Sequence, residues 1–238
     1  MTAPFAVGKV QPTLLVYYRM PAPVPLSPPR LVMLDFDGTL ADSFPWFVEV
    51  VNEAAAKFGF RRINRTEVEA LRALDALRMM RALDVSPWKV PRIATFMRAR
   101  MRDGIERIAL FPGIADGLCE LRRAGIDLAV LTSNAEDNVR HVLGPAAGEI
   151  RYYVCGVSLF GKQGRIVTLL KRTALPPSAA LLVGDELRDL AAARATGVRF
   201  AAVAWGYTHA DALAGAGVDW LVPQPQMLAR VLLGRGES

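Results

Sequence analysis

Two carboxylates stand two residues apart in residues 34–40, which read LDFDGTL and close a short apolar run. In an extended chain these side chains, Asp35 and Asp37, point to the same side, and Gly38 allows a sharp turn directly after them. Two like charges about 4 Å apart repel by roughly 4 kcal/mol at an effective dielectric near 20. A cation, or a proton kept on one carboxyl, must therefore offset the repulsion. An Asp-rich turn without chemistry is the alternative that this string alone leaves open.

Two further polar stretches lie farther along the chain, and the first of them directly follows an apolar run. Residues 132–134 read TSN, a hydroxyl with backbone amides that open a helix, and they predict either a phosphate cradle or a plain helix N-cap. Gly161-Lys162 precedes a helical segment and places an ammonium where it can reach the same cleft. Lys171 competes for this role, and a surface lysine is the alternative. Gln163 excludes a P-loop, which needs Ser or Thr after the lysine.

The last polar stretch, residues 184–189, reads GDELRD and is acidic. Asp185 can meet a hard cation shared with Asp35, and Asp189, four residues on, returns to the same side one helical turn later. Glu186 and Arg188 are expected to face away. An acidic helix start, favoured by the helix dipole, is the alternative interpretation.

Short apolar runs and periodic helical segments alternate from residue 31 onward. The runs are typical of buried strands and comprise residues 31–34, 126–131, 180–183, 200–204 and 220–222. The helices predicted between them lie near 114–123, 136–143, 164–173, 187–196 and 210–216. This alternation predicts an α/β fold, a doubly wound Rossmann-like parallel sheet with helices on both faces. Ligands bind beyond the carboxyl ends of such strands, and three of the four polar stretches directly follow a predicted strand.

One long insertion, residues 44–109, breaks the alternation. It contains no convincing strand and predicts an all-helical cap, with helices near 45–58, 65–82 and 90–107. The α/β core then comprises residues 31–43 and 110–238. Residues 1–30 hold seven of the sixteen prolines and are expected to form an irregular N-terminal extension.

Composition excludes several classes of protein. With 52% hydrophobic and 22% charged residues over 238 positions, the chain is expected to fold around a proper core. No run approaches the roughly 20 apolar residues of a membrane-spanning helix, and no secretory signal is recognisable, so we expect no membrane partner. Two cysteines far apart in sequence fit a reducing cytoplasm.

The net charge of +6 is concentrated in the insertion, which holds 13 Lys and Arg against eight Asp and Glu. This excess fits either a solvated helical face or the attraction of an anionic substrate. It lacks the aromatic interleaving and the reader motifs of a nucleic-acid surface, so we expect no nucleic-acid partner.

Together the four polar stretches resemble the haloacid dehalogenase-like superfamily, specifically its phosphoglycolate-phosphatase-like branch with a helical cap. The motifs occur in order as Asp35-Phe36-Asp37-Gly38-Thr39, Thr132-Ser133-Asn134, Lys162, and Gly184-Asp185 through Asp189. The resemblance spans about residues 31–222. It implies a Mg²⁺-dependent phosphatase that acts on a small phosphorylated metabolite such as phosphoglycolate or a sugar phosphate.

The resemblance also implies a role for each motif. Asp35 attacks phosphorus to form an aspartyl-phosphate, and Asp37 protonates the leaving oxygen and later activates water. Mg²⁺ is held by the carboxylates of Asp35 and Asp185 and by the backbone carbonyl of Asp37. Asp189 supports the site by orienting the lysine or a metal-bound water. The residues implied to bind the phosphoryl group are Gly38, Thr132, Ser133 and Lys162.

Particular residues bear on the alternatives within the superfamily. Dehalogenases typically lack a carboxylate at the position of Asp37, and a phosphonatase would use a cap lysine, for which the insertion offers Lys57 and Lys89. A phosphomutase and a catalytically silent binding protein stay open. Arg61 and Arg62, in the turn after the first cap helix, are predicted to contact a second anionic group of the substrate. The sequence does not distinguish a monomer from a homodimer.

Overall fold

Six short strands form one parallel sheet in the computed structural model, which describes residues 28–72, 74, 76–157 and 161–235. The strands are β1 (Leu31–Leu34), β2 (Asp127–Leu131), β3 (Tyr152–Val154), β4 (Ala180–Gly184), β5 (Arg199–Val203) and β6 (Trp220–Val222). Their order across the sheet is β3-β2-β1-β4-β5-β6. The predicted α/β fold class is therefore confirmed.

Ten α-helices accompany the sheet in the described part of the chain. They are α1 (Phe44–Phe58), α2 (Val68–Arg72), α3 (Ala76–Ala82), α4 (Val90–Asp103), α5 (Ile114–Arg123), α6 (Glu136–Leu143), α7 (Lys162–Thr173), α8 (Leu187–Thr196), α9 (Ala210–Gly215) and α10 (Leu228–Leu232). The first four belong to the insertion, residues 44–109. The predicted bounds of α5, α6 and α8 match the structure, whereas β3 and α10 were not predicted.

Both faces of the sheet are covered, as the continuous apolar runs require. On β1, Val32 and Leu34 join one hydrophobic cluster with α5, α6 and α10, while Leu31 and Met33 join a second cluster with α7, α8 and α9. All four residues of β1 are fully buried. Side chains that alternate between two cores in this way fix the register of the central strand.

The position of β1 determines where the polar stretches meet. It lies between β2 and β4, with Leu34 level with Val130 on one side and with Val183 on the other. The strand order reverses at this point, and the crevice beyond such a switch point is the usual ligand site of open α/β sheets. The three central strands therefore end at one level, which brings the residues that follow them together.

The insertion departs from prediction at its second helix. A single helix over 65–82 is wrong, because a 3₁₀ turn at Arg65–Glu67 precedes α2, and α2 and α3 are separate helices. Between them the Leu74 N–H donates to the Leu71 carbonyl at 3.0 Å. A hydrogen bond over three residues is typical of a 3₁₀ turn rather than of an α-helix. The third predicted helix is also shorter than expected, since α4 ends before Gly104.

Two short segments connect the insertion to the sheet. The Asp42 N–H donates to the Ala109 carbonyl, and the Phe111 N–H donates to the Leu40 carbonyl, each at 2.9 Å. These bonds hold the entering and leaving chains side by side. We propose on this basis that residues 44–109 form a distinct cap on a core of residues 31–43 and 110–238. Most of the predicted N-terminal extension lies outside the described residues.

The structure also bears on the expectations about membrane-spanning helices and about the two cysteines. No helix in the described ranges has both the length and the apolar character needed to span a bilayer. Cys119 and Cys155 are both free thiols. Burial raises the pKa of the Cys155 thiol to about 12, so it is a poor nucleophile at neutral pH.

Candidate active site

Asp35 is the first residue beyond β1 and is placed by the sheet itself. Its N–H donates to the Val183 carbonyl at 2.9 Å, which continues the pairing of β1 with β4. Its Oδ1 accepts the Phe36 N–H at 2.8 Å, and its Oδ2 lies 2.7 Å from Lys162 Nζ. The carboxylate is thus held in one orientation at the switch point.

Lys162 is the first residue of α7 and joins two of the acidic residues. Its buried Nζ lies 2.7 Å from Asp35 Oδ2 and 2.6 Å from Asp189 Oδ1. Burial alone would lower the pKa of the ammonium, but the two carboxylates outweigh it and raise the pKa above its ordinary value. Lys171, the competing candidate, is exposed. The structure therefore brings Lys162, rather than Lys171, to the acidic cluster.

Asp185 follows β4 and is fixed through both of its oxygens. Oδ1 accepts the Thr39 hydroxyl and Oδ2 accepts the Tyr207 N–H, each at 2.7 Å. Burial, followed by the nearby charges of Glu186 and Asp35, raises the pKa of this carboxyl well above its usual range. Its charged form is therefore costly without a further cation.

The acidic cluster has the composition of a divalent-metal site. Carboxylate oxygens of Asp35, Asp185 and Asp189 lie within 4.8 Å of one another, and all three residues are buried. Burial raises the pKa of Asp35 to about 7 even though the Lys162 ammonium lowers it. Carboxylates crowded beyond what one ammonium can neutralise fit a hard cation such as Mg²⁺, which prefers oxygen ligands.

Asp37 is held differently from Asp35. Its Oδ2 accepts a long, 3.4 Å hydrogen bond from Asn134 Nδ2, and its Oδ1 is buried with no hydrogen-bond partner among the described residues. Burial raises the pKa of this carboxyl, although the nearby Ser43 hydroxyl and the Asn134 amide oppose the rise. A buried carboxylate oxygen without a partner is costly, and a proton on this carboxyl lowers that cost.

Residues 132–134 do not serve as a simple helix cap. The N-cap of α6 is Ala135, which makes no side-chain cap, so the N-cap alternative for this stretch is wrong. Instead the buried Thr132 Oγ1 accepts the Asn134 N–H at 3.0 Å, which folds the segment back toward Asp37. Ser133 and Asn134 face the cavity that Asp35 and Asp37 also line.

The loop after β5 closes the site from a side that sequence reasoning missed. Trp205 Nε1 donates to the Thr39 carbonyl at 3.1 Å, and the Tyr207 hydroxyl lies 2.9 Å from the Ser43 hydroxyl. The loop follows a predicted strand, so the same strand-end argument that found Asp185 could have found it. In the sequence its aromatic residues look like core side chains, so the loop was not predicted to be part of the site.

Two glycines allow this loop to approach Asp185. Gly38 has φ +76°, and a Cβ there would lie 2.4 Å from Asp185 Oδ2 and 2.5 Å from the Tyr207 ring. A Cβ on Gly206 would lie 2.1 Å from Asp185 Cβ. Both distances are far below van der Waals contact, so the site tolerates only glycine at these positions.

Gly206→Ala is therefore expected to lower the free energy of unfolding by about 1–3 kcal/mol, the usual cost of overpacking. Gly164→Ala in α7 is the matched control, because a Cβ there meets no atom within 4 Å. The control should raise stability by roughly 0.5–1 kcal/mol, since alanine favours helix over glycine. Urea unfolding of the two variants and the parent chain measures both. Equal effects of the two substitutions would contradict the close approach at Gly206.

A cavity of about 330 Å³ opens above the acidic cluster, between the insertion and the ends of the strands. Asp35 and Asp37 line its floor, and so do Glu186 and Arg188. The expectation that the latter two face away is wrong. Glu186 is the N-cap of α8, and Arg188 folds back to pair with it at 2.8 Å through Nε.

The predicted specificity arginines lie elsewhere. Arg61 Nη1 lies 2.6 Å from Glu67 Oε1, and its Nε donates to the Ala82 carbonyl at 2.8 Å. Arg61 and Arg62 are exposed, and neither is among the described residues that line the cavity. Arg98, on α4, is the arginine that the insertion contributes to the lining. The role predicted for Arg61 and Arg62 stays a prediction.

Comparison with known proteins agrees with this arrangement. A family model described as haloacid dehalogenase-like hydrolase matches residues 32–203. A phosphoglycolate phosphatase of Synechococcus elongatus is 32% identical over 205 residues, which cover 85% of this chain and 97% of the relative.

Two solved structures share the architecture. CbbY from Rhodobacter sphaeroides in complex with phosphate aligns with a TM-score of 0.66 and 27% identity, covering 87% of this chain and 99% of that one. A haloacid dehalogenase-like family hydrolase of Streptococcus pneumoniae aligns with a TM-score of 0.69 and 20% identity, covering 85% and 97%. The second likeness supports the fold alone.

Proposed function

The chain belongs to the haloacid dehalogenase-like hydrolase family, in its phosphoglycolate-phosphatase-like branch, and from this premise we propose that it hydrolyses a small phosphomonoester through an aspartyl-phosphate on Asp35. The observation that carries the proposal is the convergence of Asp35, Lys162, Asp185 and Asp189 in one buried cluster. The family and its phosphoglycolate phosphatase relatives together support a phosphoric monoester hydrolase. The intermediate, the metal and the substrate are the parts that we propose.

In the first half-reaction an Asp35 oxygen attacks phosphorus and the ester oxygen leaves. The hydrogen bond from the Phe36 N–H and the ion pair with Lys162 support this role, because they hold the carboxylate in one orientation at the end of β1. A covalent intermediate divides one difficult displacement into two easier ones.

Asp37 supplies and recovers the proton. It gives a proton to the departing alkoxide in the first step and takes one from the water that attacks the aspartyl-phosphate in the second. The partnerless Oδ1 of Asp37, buried in the wall of the same cavity as Asp35, supports the assignment. The two steps together return both carboxyl groups to their starting states.

The remaining polar groups hold the phosphoryl group. We assign its oxygens to the Thr132 hydroxyl, the Ser133 backbone amide, the backbone at Gly38 and the Lys162 ammonium. Asp189 keeps Lys162 in place through its 2.6 Å contact. Asp35 and Asp185, with the backbone carbonyl of Asp37, would hold Mg²⁺, which when bound screens the negative charges of nucleophile and phosphoryl group.

The substrate and the acceptor of the phosphoryl group are the finer parts of the proposal. The name of the Synechococcus relative makes 2-phosphoglycolate the first ester to assay, and sugar phosphates are the second class. A phosphomutase uses the same half-reaction but passes the phosphoryl group to a second sugar hydroxyl instead of water. Release of inorganic phosphate in stoichiometric amount distinguishes the hydrolase from the mutase.

Metal removal tests the proposal. Treatment with EDTA should lower phosphate release from every accepted ester by about a hundredfold or more, and added Mg²⁺ should restore it, because the buried carboxylates need a cation. Asp185→Asn should remain inactive after Mg²⁺ is added. Asp211→Asn, an exposed control, should respond like the parent chain. Full activity in EDTA would contradict the requirement for a metal ion. Inactivity with Mg²⁺ on the whole ester panel would contradict the proposed phosphatase activity.

A further inference from the structure

The cavity above the acidic cluster has two walls of different chemistry. The core wall carries Asp35, Asp37, Ser133, Asn134 and Arg188. Fifteen described residues of the insertion form the opposite wall; fourteen of them are apolar and Arg98 is the exception. A substrate whose phosphoryl group sits on the core wall can therefore place the rest of its structure against the apolar wall.

Part of the apolar wall does not belong to the interior of the insertion. Met80, Val90, Ile93 and Ala94 line the cavity and are half-buried. None of the four belongs to a hydrophobic cluster formed by the described residues. Their apolar surface faces the cavity, where a ligand can cover it.

The same wall is adaptable in shape. Met79, Met80, Met97 and Met101 all line it, and methionine side chains adjust to irregular apolar groups at little cost. The volume of about 330 Å³ lies at the lower end of the roughly 300–1,000 Å³ of ligand pockets. The cavity therefore suits one small apolar group joined to a phosphoryl group.

We propose that this wall, called here the apolar subsite, binds the leaving group of the substrate, and that the preferred substrates are phosphomonoesters of apolar alcohols. The inference rests on the proposed phosphatase function and names its substrate class. Sugar hydroxyls, or the carboxylate of glycolate, would lose hydrogen bonds to water against this wall and would find Arg98 as the one polar side chain among its described residues. An apolar alcohol gains by leaving water.

Two esters of similar shape test the proposal on the unmodified chain. Cyclohexylmethyl phosphate and glucose 6-phosphate both carry their phosphate on a CH2 group attached to a six-membered ring. They differ mainly in the ring hydroxyls. We expect kcat/KM to be at least about tenfold higher for cyclohexylmethyl phosphate, and higher than for 2-phosphoglycolate. Equal values, or a preference for either polar ester, would overturn the apolar subsite while leaving the phosphatase intact.

A matched pair of variants on α3 locates the effect. Met80→Gln places an amide in the apolar subsite, and the ratio of the two kcat/KM values should fall about fivefold or more. Leu77→Gln places the same amide on the outside of α3, where Leu77 is 51% exposed, and should leave the ratio and the activity unchanged. An unchanged ratio in folded Met80→Gln would contradict the proposal.

A binding measurement separates this inference from the proposed function. Cyclohexylmethylphosphonate has no ester bond to hydrolyse, and calorimetry with Mg²⁺ present can compare it with inorganic phosphate. We expect about tenfold or greater tightening over phosphate, with the negative heat-capacity change of apolar burial. Such binding by a chain that hydrolyses no ester would refute the phosphatase but keep the subsite, and equal binding of the two anions would refute the subsite.

Discussion

Asp35→Asn is expected to lower kcat by about ten-thousandfold or more for every ester, because an amide oxygen cannot serve as the nucleophile. The fold should survive the change. Asp35 shares Lys162 with Asp189, so the ammonium keeps one buried partner, and the substitution relieves repulsion from Asp185. Initial rates of phosphate release, with circular dichroism to verify folding, measure both effects.

Asp42→Asn is the matched control for this experiment. Asp42 lies on the same loop, but its side chain is exposed. The control should keep kcat within about twofold, since isolated surface charges contribute little. Substantial phosphatase activity in folded Asp35→Asn would show that another group attacks phosphorus.

Asp37→Asn is expected to reveal its role through the leaving group. For alkyl phosphates, whose alkoxide must be protonated as it departs, kcat should fall by about a thousandfold or more. For p-nitrophenyl phosphate, whose phenolate leaves without a proton, the formation of the aspartyl-phosphate should suffer much less. A burst of p-nitrophenolate ahead of slow turnover would report this difference directly.

The burst has a definite meaning in this scheme. Asp37 also takes the proton from the attacking water, so its loss slows the second step for every substrate and lets the intermediate accumulate. Equal losses in burst and turnover for aryl and alkyl esters alike would rule out Asp37 as the proton donor to the leaving group.

The core of the fold was predictable because its signals are local. Continuous apolar runs such as 31–34 and 180–183 can be buried only in a sheet covered on both faces, and periodic segments between them require helices. The edge strand β3 was missed because it has three half-buried residues and carries little of this signal. The second cap helix was misjudged because the break near Leu74 rests on backbone bonding, which amphipathic periodicity does not encode.

The floor of the site was predictable for a similar reason. Parallel strands end at one edge, so Asp35, Thr132 and Asp185 must meet there whatever the loops do. The sequence did not predict which way the Arg188 side chain points, because that depends on the orientation of the first turn of α8. The apolar subsite was not predictable either, since side chains facing a cavity and side chains packed in a core share one pattern in sequence.

Borohydride trapping of the intermediate that forms during turnover tests the central claim most directly. The enzyme is mixed with its best ester and Mg²⁺, quenched in acid and reduced, which converts an aspartyl-phosphate to homoserine, and the peptides are then sequenced by mass spectrometry. We expect homoserine at residue 35, absent when Mg²⁺ is withheld and absent from Asp35→Asn. Homoserine at another aspartate in an actively hydrolysing sample, or at none, would contradict catalysis through Asp35.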